Sequence, residues 1–327
     1  MKILVIRRDN IGDLVCTTPL LAALRQRFPQ AWIGVLANSY NAPVLTGNPD
    51  VDEVFAYRKA KHREGGASLL RLHAQRLRLI WGLRRMGIDD VILAAPAHQP
   101  SALRFARLIR PRRVLGGCDS PLPHEAQKVF ATLSAYGLPG PAPACRVLPE
   151  RPRLEHAQAQ LPRDWAGRRL IGIHISARKP SQRWPEARFI ALMEALHRDC
   201  DAAFLLFWSP GPADHPQHPG DDHKARRIVD GCRALPLAAM PTHELGELIA
   251  GLALCDEVIC SDGGAMHIAA GLGKPILCFF GQSSAERWHP WGVPYELLQK
   301  ESRQVSDIPV DEAVAGYERL RQKIGAQ

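Results

Sequence analysis

The sequence lacks a long apolar run, since no segment approaches the roughly 20 consecutive apolar residues that cross a bilayer as a helix. Residues 1–6 run straight into a strand-like pattern and carry none of the features of a signal peptide. Low-complexity tracts and internal repeats are missing as well. These absences argue against membrane-spanning and disordered proteins. We therefore expect a globular, cytoplasmic protein.

Closely spaced cysteine pairs are also missing. None of the eight cysteines forms the C-x-x-C spacing that is typical of zinc sites and dithiol redox sites. Several of them lie in apolar, strand-like runs. The sequence therefore predicts buried free thiols.

Positive charge is in excess, but it is not concentrated. The chain has 42 Lys and Arg against 33 Asp and Glu, which gives a formal net charge of +9, and the basic residues are scattered in ones and twos. Such a surplus attracts anions over long distances. Nucleic-acid binding would require a concentrated basic patch or a basic patch interleaved with aromatic residues. We expect phosphate-bearing partners and no nucleic acid.

The length and the apolar pattern predict two α/β domains. With 327 residues, 46% of them hydrophobic, the chain exceeds one ordinary core. Strand-length apolar runs alternate with longer helical patterns, as in parallel sheets covered by helices on both faces. The strands predicted for the two sheets are Lys2–Ile6, Trp32–Leu36, Glu53–Tyr57, Asp90–Ala94 and Arg113–Leu115, and then Leu170–Ile175, Ala203–Phe207, Glu257–Cys260 and Pro275–Phe280.

A proline-rich segment separates the two sets of strands. Gly137–Pro152 contains five prolines, a composition that resists regular structure and suits a connector. We predict a first domain over residues 1–152, a second over 153–308, and a C-terminal helix over 309–327 that packs back toward the first domain. One apolar stripe of that helix should face a core, and it consists of Val310, Val314, Tyr317 and Ile324.

Two details of the helices also follow from the sequence. Pro19 lies inside the helical pattern Leu14–Phe28, so we expect a kinked or late-starting helix there. The apolar repeat from Leu245 to Leu252 marks one face of another helix, for which Thr242 is the expected N-cap.

A polar loop, Arg7–Asp13, follows the first predicted strand. Active sites of open α/β sheets collect at the carboxyl ends of strands. Gly12 permits a tight turn, and Asp13 is then at or near a helix N-terminus, where it either caps the helix or serves chemistry. The loop does not contain the G-x-G-x-x-G fingerprint, which argues against a dinucleotide enzyme.

A second loop, Ser261–His267, places Asp262, Gly263 and Gly264 between a strand and a helix. Glycines let backbone N–H groups approach a ligand closely, and a helix N-terminus favours negative charge. A diphosphate fits that environment. His267 either contacts the ligand or fills the core.

A third loop, His174–Pro185, follows the first strand of the second domain. It supplies hydroxyl groups and three cations, Arg178, Lys179 and Arg183, at one strand terminus. Charge-assisted hydrogen bonds from such side chains suit phosphate oxygens. The alternative is a solvated basic loop.

Together these loops resemble glycosyltransferase family 9, the ADP-heptose lipopolysaccharide heptosyltransferases, and the resemblance extends over nearly the whole chain. The family's Gly-Asp after the first strand is matched by Gly12-Asp13. Its Asp-(Thr/Gly/Ser)-Gly-x-x-His element is matched by residues 262–267, and its Lys-x-Trp-Pro element is matched in part by residues 182–185.

The resemblance implies a GT-B fold, in which two Rossmann-like domains face an interdomain cleft, the first holding the acceptor and the second holding most of the donor. Asp13 would be the general base. The residues implied for donor binding are Ser176, Asp262, Gly263, Gly264 and His267. The donor is a nucleotide diphosphate sugar, and no cofactor is implied.

The sequence departs from the family at two places. The donor-binding lysine of the family falls on Gln182, so we expect Lys179 or Arg183 to supply the charge. The segment Pro210–Asp222 replaces a shorter acidic segment that contacts the ribose, and Asp214, Asp221 and Asp222 are equal candidates for that contact.

The predicted reaction is an inverting, metal-independent transfer of a heptose-type sugar, with ADP-heptose as the expected donor. The D-x-D at residues 50–52 is interpreted as a surface turn. The basic surplus predicts an anionic glycolipid or oligosaccharide acceptor of the lipopolysaccharide core, and peripheral contact with the cytoplasmic face of the inner membrane. The cations expected at the acceptor are Arg7, Arg8, Lys59, Lys61 and Arg63.

Three alternatives stay open at this point. The chain could be a family member with another donor or acceptor, or a sugar-nucleotide 2-epimerase of GT-B fold that isomerises a free nucleotide sugar. It could also be a protein without enzymatic activity that binds anions.

Overall fold

The chain forms two compact units, Met1–Cys145 and Arg146–Gln327. The division falls inside the proline-rich segment Gly137–Pro152. The computed structural model describes residues 1–57, 69–95, 100–116, 120–215 and 219–326. No helix in these ranges is both long enough and apolar enough to span a membrane.

The first unit is an α/β layer structure. Its elements in chain order are β1 (Lys2–Ile6), α1 (Ile11–Val15), α2 (Thr18–Arg27), β2 (Trp32–Asn38), β3 (Glu53–Tyr57), α3 (Leu69–Met86), β4 (Asp90–Leu93), α4 (Pro100–Ile109), β5 (Arg113–Gly116) and α5 (Glu125–Phe130). The five strands are all parallel and have the order β3-β2-β1-β4-β5. Residues 3–6 of β1 are buried, as expected for a strand covered on both faces.

The second unit repeats this architecture around six parallel strands. Its elements are α6 (Arg151–Ala159), β6 (Leu170–His174), α7 (Glu186–Cys200), β7 (Ala203–Trp208), α8 (Asp222–Gly231), β8 (Leu237–Pro241), α9 (Leu245–Leu254), β9 (Glu257–Ser261), α10 (Gly264–Gly271), β10 (Ile276–Phe280), α11 (Ala285–Trp288), β11 (Tyr295–Gln299) and α12 (Val310–Gly325). The strand order is β11-β10-β9-β6-β7-β8.

The nine predicted strands are all present, and the structure adds β8 and β11. These two are the edges of the second sheet, and most of their residues are half-buried or exposed. Because only one side of an edge strand is paired, their side chains do not form the continuous apolar run that identifies a central strand.

The helix predictions need one correction. The helical pattern over Leu14–Phe28 is broken, and α2 starts anew with Pro19 in its first turn, as the proline predicted. The prediction that Thr242 caps α9 is wrong. Glu244 is the N-cap, in a capping box with Glu247, and the Thr242 hydroxyl donates to Trp208 O at 2.9 Å instead.

The C-terminal helix α12 is present and packs within the second unit, against α7, β10 and β11. Its predicted stripe faces the core, where Tyr317 is buried and Val310, Val314 and Ile324 pack against the apolar cluster. The predicted contact of this helix with the first domain stays a prediction.

Both sheets are doubly wound, and each therefore has one switch point. In the first sheet the chain moves outward from β1 to β2 and β3, and then from β4 to β5 on the other side. In the second sheet the corresponding point lies between β6 and β9. Ligands of open α/β sheets bind outside the carboxyl ends of the strands at such points. The Arg7–Asp13 loop lies at the first, and the 174–185 and 261–267 loops flank the second.

Candidate active site

The Arg7–Asp13 loop is held at the end of β1 by two buried asparagines. Asn38 Nδ2 donates to Arg8 O at 3.0 Å and to Asp9 O at 2.6 Å. Asn41 Nδ2 donates to Asn10 O at 3.2 Å, and Asn41 Oδ1 accepts from Asn38 N at 2.9 Å. Both side chains bind backbone groups, so they fix the path of the loop.

Asp13 is the third residue of α1, and donors surround its carboxylate. Oδ2 accepts from Asn10 N and from Asn10 Nδ2, each at 2.9 Å, while Oδ1 accepts from Arg7 Nη2. The side chain keeps 11% of its surface exposed. A carboxylate offers about four acceptor positions. Three are occupied, and one is left for a further donor.

Arg7 is buried beneath this loop and connects three chain segments. Its guanidinium donates to Asp13, to Glu125 Oε1 at 2.6 Å and to Ala94 O, and its Nε lies 3.4 Å from Asp9 Oδ2. Since Ala94 follows β4, Arg7 spans the switch point between β1 and β4. In this structure Arg7 positions Asp13, and its predicted contact with an acceptor stays a prediction.

The charges around Asp13 keep it ionised. Burial alone would raise the pKa of the Asp13 carboxyl, but the Arg7 guanidinium and the hydrogen bonds from Asn10 outweigh it, and the pKa lies below its ordinary value. Burial would likewise lower the pKa of Arg7, but Asp13 and Glu125 raise it. The site therefore holds a carboxylate that is ready to accept a proton throughout the neutral range.

The remaining acceptor-binding candidates divide into two groups. Arg8 is 8% exposed, donates to Ser101 Oγ at 3.1 Å and lies over the Phe105 ring at 5.8 Å. Lys59, Lys61 and Arg63 lie outside the described residues.

In the second unit, Gln182 and Asp262 join the two predicted donor loops. Gln182 Nε2 donates to Asp262 Oδ2 at 2.5 Å and to Ser283 Oγ at 3.0 Å, and both Gln182 and Asp262 are buried. These contacts connect the segments that follow β6, β9 and β10. Gln182 therefore fixes the Asp262 carboxylate with a neutral donor.

The helix that follows Asp262 has an open N-terminus. Gly263 is the N-cap of α10, it makes no side-chain capping bond, and its backbone is extended. A Cβ at Gly263 would meet no atom closer than Ser261 O at 4.0 Å, so the fold itself does not require glycine there. A missing side chain leaves the N–H groups of the first helical turn accessible to an anion. Gly264 is the first residue of that turn.

His267 lies one turn further along α10 and is 5% exposed. Its ring packs edge-on against Trp288 at 5.8 Å between centroids. The ring is thus part of the packing between α10 and α11, next to the helix N-terminus. Its contact with a donor stays a prediction.

The residues predicted around the 174–185 loop have different surroundings. Ser176 Oγ accepts from Ser209 N at 2.9 Å, which joins the loops after β6 and β7. Arg183 Nε donates to Ala177 O at 3.0 Å within its own loop. Lys179 is exposed, and no carboxylate pairs with it among the described residues.

Lys224 is a cation of this region that sequence reasoning missed. It projects from the first turn of α8 and donates from Nζ to Ile175 O at 3.1 Å, at the end of β6. Burial lowers the pKa of Lys224 to about 8, against the opposing effects of Asp221 and Glu186 and with a further lowering by Arg183. Beneath it, burial and Lys224 lower the pKa of His174 to about 4.

Trp184 and Pro185, the matched part of the Lys-x-Trp-Pro element, support the fold. The Trp184 ring is 1% exposed, packs on Phe189 and Phe279, and donates from Nε1 to Ile308 O at 2.9 Å. Pro185 is the N-cap of α7. This element therefore anchors the loop that carries Gln182.

The acidic candidates for ribose binding also differ from one another. Asp222 accepts from Trp208 Nε1 at 2.7 Å and from Gly211 N at 2.9 Å, and these bonds lower its pKa. It therefore closes the loop between β7 and α8. Asp214 is exposed, and Asp221 precedes α8.

The D-x-D sequence is part of a turn, as predicted. Asp52 Oδ2 accepts from Ile33 N at 2.6 Å and pairs with Arg25 at 2.7 Å, and Asp50 N donates to Asn48 Oδ1 at 2.9 Å. Among the described residues, no three His, Cys, Asp or Glu side chains form a group that could hold a metal ion. Metal independence stays a prediction.

The structure thus places the two loops with the predicted donor residues at one switch point, where it joins Gln182 to Asp262, and it places Asp13 at the other. Sequence reasoning missed Glu125, Lys224, Asn38 and Asn41. Asn38 and Asn41 could have been found, because they follow the predicted strand Trp32–Leu36 at its carboxyl edge. Glu125 and Lys224 offer no such signal, since each reaches the site from a helix.

Two doubly wound parallel sheets in separate units, each with a polar loop at its switch point, are the architecture of the GT-B fold. The model of glycosyltransferase family 9 (heptosyltransferase) matches residues 119–308, and the chain belongs to that family. It is a glycosyltransferase.

Curated relatives match over most of the chain. Lipopolysaccharide heptosyltransferase 3 of Escherichia coli is 24% identical over 94% of this chain and 96% of its own length. Lipopolysaccharide heptosyltransferase 2 of Escherichia coli K12 is 26% identical over 88% of this chain and 84% of its own. A solved structure of E. coli heptosyltransferase WaaC with ADP superposes with a TM-score of 0.78 at 17% identity, over 98% of this chain and 100% of that one, which shows a shared fold.

Proposed function

We propose that this glycosyltransferase moves a heptose from ADP-heptose to an anionic acceptor of the lipopolysaccharide core, with inversion at the anomeric carbon and without a metal ion. The observation that carries the proposal is that both family motifs lie at switch points, one with an ionised carboxylate and one with an open helix N-terminus. The names of the relatives, and the ADP in the WaaC structure, support a heptose and an adenine donor.

In the proposed reaction, an acceptor hydroxyl oxygen attacks the anomeric carbon of the donor from the face opposite the diphosphate. The new carbon–oxygen bond forms as the bond to the β-phosphate oxygen breaks, and its electron pair leaves with ADP. Asp13 accepts the hydroxyl proton. Attack from the opposite face inverts the anomeric centre, and the products are ADP, the heptosylated acceptor and protonated Asp13.

The departing diphosphate gains negative charge, and the second unit offers donors for it. The first turn of α10 supplies N–H groups, and Asp262, fixed by Gln182, has further acceptor capacity for a sugar hydroxyl. We assign to Lys224 the positive charge that the family places at residue 182. Its ammonium lies at the end of β6, the strand next to β9.

The acceptor side of the proposal rests on the first unit and on the charge of the chain. With a formal net charge of +9, the molecule attracts a phosphorylated or carboxylated acceptor. An acceptor with a lipid anchor would bring the enzyme to the cytoplasmic face of the inner membrane.

The test is a transfer assay with the purified full-length chain. ADP-heptose and uridine and guanosine diphosphate sugars are supplied with and without a lipopolysaccharide-core acceptor, and products are identified by mass spectrometry and NMR. We expect acceptor-dependent release of ADP, an inverted linkage, and full activity in a chelator. Isomerisation of the nucleotide sugar without acceptor would contradict sugar transfer. A retained linkage would contradict inversion, and strict dependence on magnesium or manganese would contradict metal independence.

A further inference from the structure

The outward face of α3 carries large apolar side chains that the core does not use. Leu77 is 66% exposed and Trp81 is 60% exposed, and the two are four residues apart on one side of the helix. The opposite side of α3 supplies Ile80 and Leu83 to the core. Leu108, on the neighbouring helix α4, is 48% exposed.

The same two helices carry only positive charge. No Asp or Glu occurs in Leu69–Met86 or in Pro100–Ile109. The exposed arginines of this pair of helices are Arg78, Arg84, Arg85, Arg104 and Arg107. None of these five has a carboxylate partner in the described part of the chain, and the guanidinium of Arg85 lies over the Trp81 ring at 4.4 Å.

We propose that this α3–α4 face docks on an anionic phospholipid surface. Helices that lie in a bilayer interface combine Trp and Leu side chains, which enter the boundary between headgroups and acyl chains, with Arg side chains that bind lipid phosphates. Trp81 with Leu77, flanked by unpaired arginines, provides both components. Exposed apolar patches rimmed by polar residues mark interaction sites in general.

The charge of the face argues against a second copy of the chain as its occupant. In a two-fold symmetric dimer the same patch contacts itself. Arginines without a single carboxylate would then meet arginines, and juxtaposed like charges oppose association. An anionic bilayer instead supplies the negative charge that the face lacks.

One end of this pair of helices, the N-terminus of α4, adjoins the candidate active site. α4 starts beside the Arg7–Asp13 loop, where Ser101 Oγ accepts from Arg8 Nη2 at 3.1 Å. A lipid surface on this face would present a membrane-anchored acceptor next to that loop. The inference deepens the proposed function and rests on it only for the nature of the acceptor.

The experiment measures binding of the full-length chain to vesicles by flotation, with phosphatidylcholine alone and with phosphatidylethanolamine and phosphatidylglycerol. We expect binding to the anionic vesicles only. The double variant Leu77→Ser/Trp81→Ser should lose on the order of tenfold or more in affinity. Arg84→Gln/Arg85→Gln should lose about fivefold for each arginine.

Matched variants of the second unit serve as controls. Leu148→Ser changes an exposed leucine, and Arg163→Gln/Arg198→Gln changes two exposed arginines. These variants should bind anionic vesicles like the wild type. All variants should transfer sugar to a water-soluble acceptor at the wild-type rate, which separates docking from catalysis.

Three results would overturn the proposal. The first is equal binding to neutral and anionic vesicles, and the second is unchanged binding of both α3 variants. The third is a concentration-dependent dimer in sedimentation velocity without lipid that Leu77→Ser/Trp81→Ser converts to monomer, because a second copy would then occupy the face. If the soluble-acceptor assay fails while these binding results hold, the proposed function is wrong and the docking face stands.

Discussion

Asp13 is a weak base that is ionised at neutral pH. The Arg7 guanidinium and the Asn10 donors hold the pKa of its carboxyl below the ordinary value of about 3.9. A low pKa reduces the driving force for proton transfer, but it leaves the carboxylate fully ionised at neutral pH. The acidic limb of the pH profile of kcat/KM should therefore lie below the ordinary titration range of an aspartate.

Asp13→Asn removes the charge and keeps the shape. Arg7 and Asn10 donate to different oxygens of Asp13, so in an asparagine one of these donors would face the amide NH2 group. We predict a loss in kcat of about 10² to 10⁴, measured by steady-state kinetics. Asp9→Asn, in the same loop, should lose far less.

Nucleotide affinity by calorimetry and thermal unfolding of Asp13→Asn show whether the fold and the donor site are intact. Turnover close to that of the wild type with intact donor binding would rule out Asp13 as the base.

Lys224 gives a second prediction at the residue scale, on pH. Burial lowers the pKa of its ammonium to about 8, so the group is charged below that pH and neutral above it. A cation that binds a diphosphate loses its attraction when it loses its proton. The affinity for ADP should therefore fall as pH rises through about 8, and a bound anion shifts this midpoint upward.

Lys224→Gln should weaken ADP binding at pH 7 by roughly tenfold, the lower end for a hydrogen bond to a charged group, and should remove the dependence on pH between 7 and 9. Lys179→Gln and Arg183→Gln are the matched controls, and we expect smaller effects from both. If either control variant loses more affinity for ADP than Lys224→Gln, the residue changed in that variant supplies the positive charge of the family's lysine.

At the scale of elements, α12 is anchored to the central strand β9 by a buried carboxylate. Tyr317 Oη donates to Glu257 Oε2 at 2.6 Å, and Arg321 pairs with the other oxygen of Glu257, which is 2% exposed. Burial and the neighbouring carboxylate raise the pKa of Tyr317. The apolar stripe of the sequence predicted that Tyr317 faces the core, and the hydrogen bond explains how a hydroxyl is accommodated there.

Tyr317→Phe removes this donor and changes little of the volume. Because Glu257 stays buried with one partner fewer, we predict a loss of about 1 to 3 kcal/mol in the free energy of unfolding, measured by urea titration. Tyr40→Phe, at an exposed position, is the control. Equal stability of the two variants would show that the hydrogen bond from Tyr317 makes no net contribution to the free energy of unfolding.

At the scale of the whole molecule, the net charge of +9 predicts that anionic acceptors are attracted before they bind. Salt screens such attraction over a Debye length of about 10 Å at 0.1 M ionic strength. We predict that kcat/KM for a phosphorylated acceptor falls as salt is raised from low to physiological concentration, while kcat changes little. Equal use of a dephosphorylated acceptor, with no effect of salt on either, would contradict the electrostatic argument.

The sequence by itself determined the class of fold and the loops that carry the candidate site. The alternation of apolar runs and helical patterns, the break at Pro19 and the small residues around Asp13 and Asp262 are local signals. Each depends on the conformations that a few neighbouring residues can adopt, so it can be found without knowing the rest of the chain. The edge strands β8 and β11 were not predicted, because they are paired on one side only and have no continuous apolar run.

Only the tertiary structure decided which side chains meet. Glu125 reaches Arg7 across 118 positions of sequence, Gln182 reaches Asp262 across 80, and Lys224 reaches the end of β6 across 49. The strand order and the helices that cover each sheet create these contacts. A side chain that reaches the site from a distant helix leaves no periodic pattern or motif in the sequence around it. For this reason Glu125 and Lys224, which set the charge of the site, could be identified only in the folded chain.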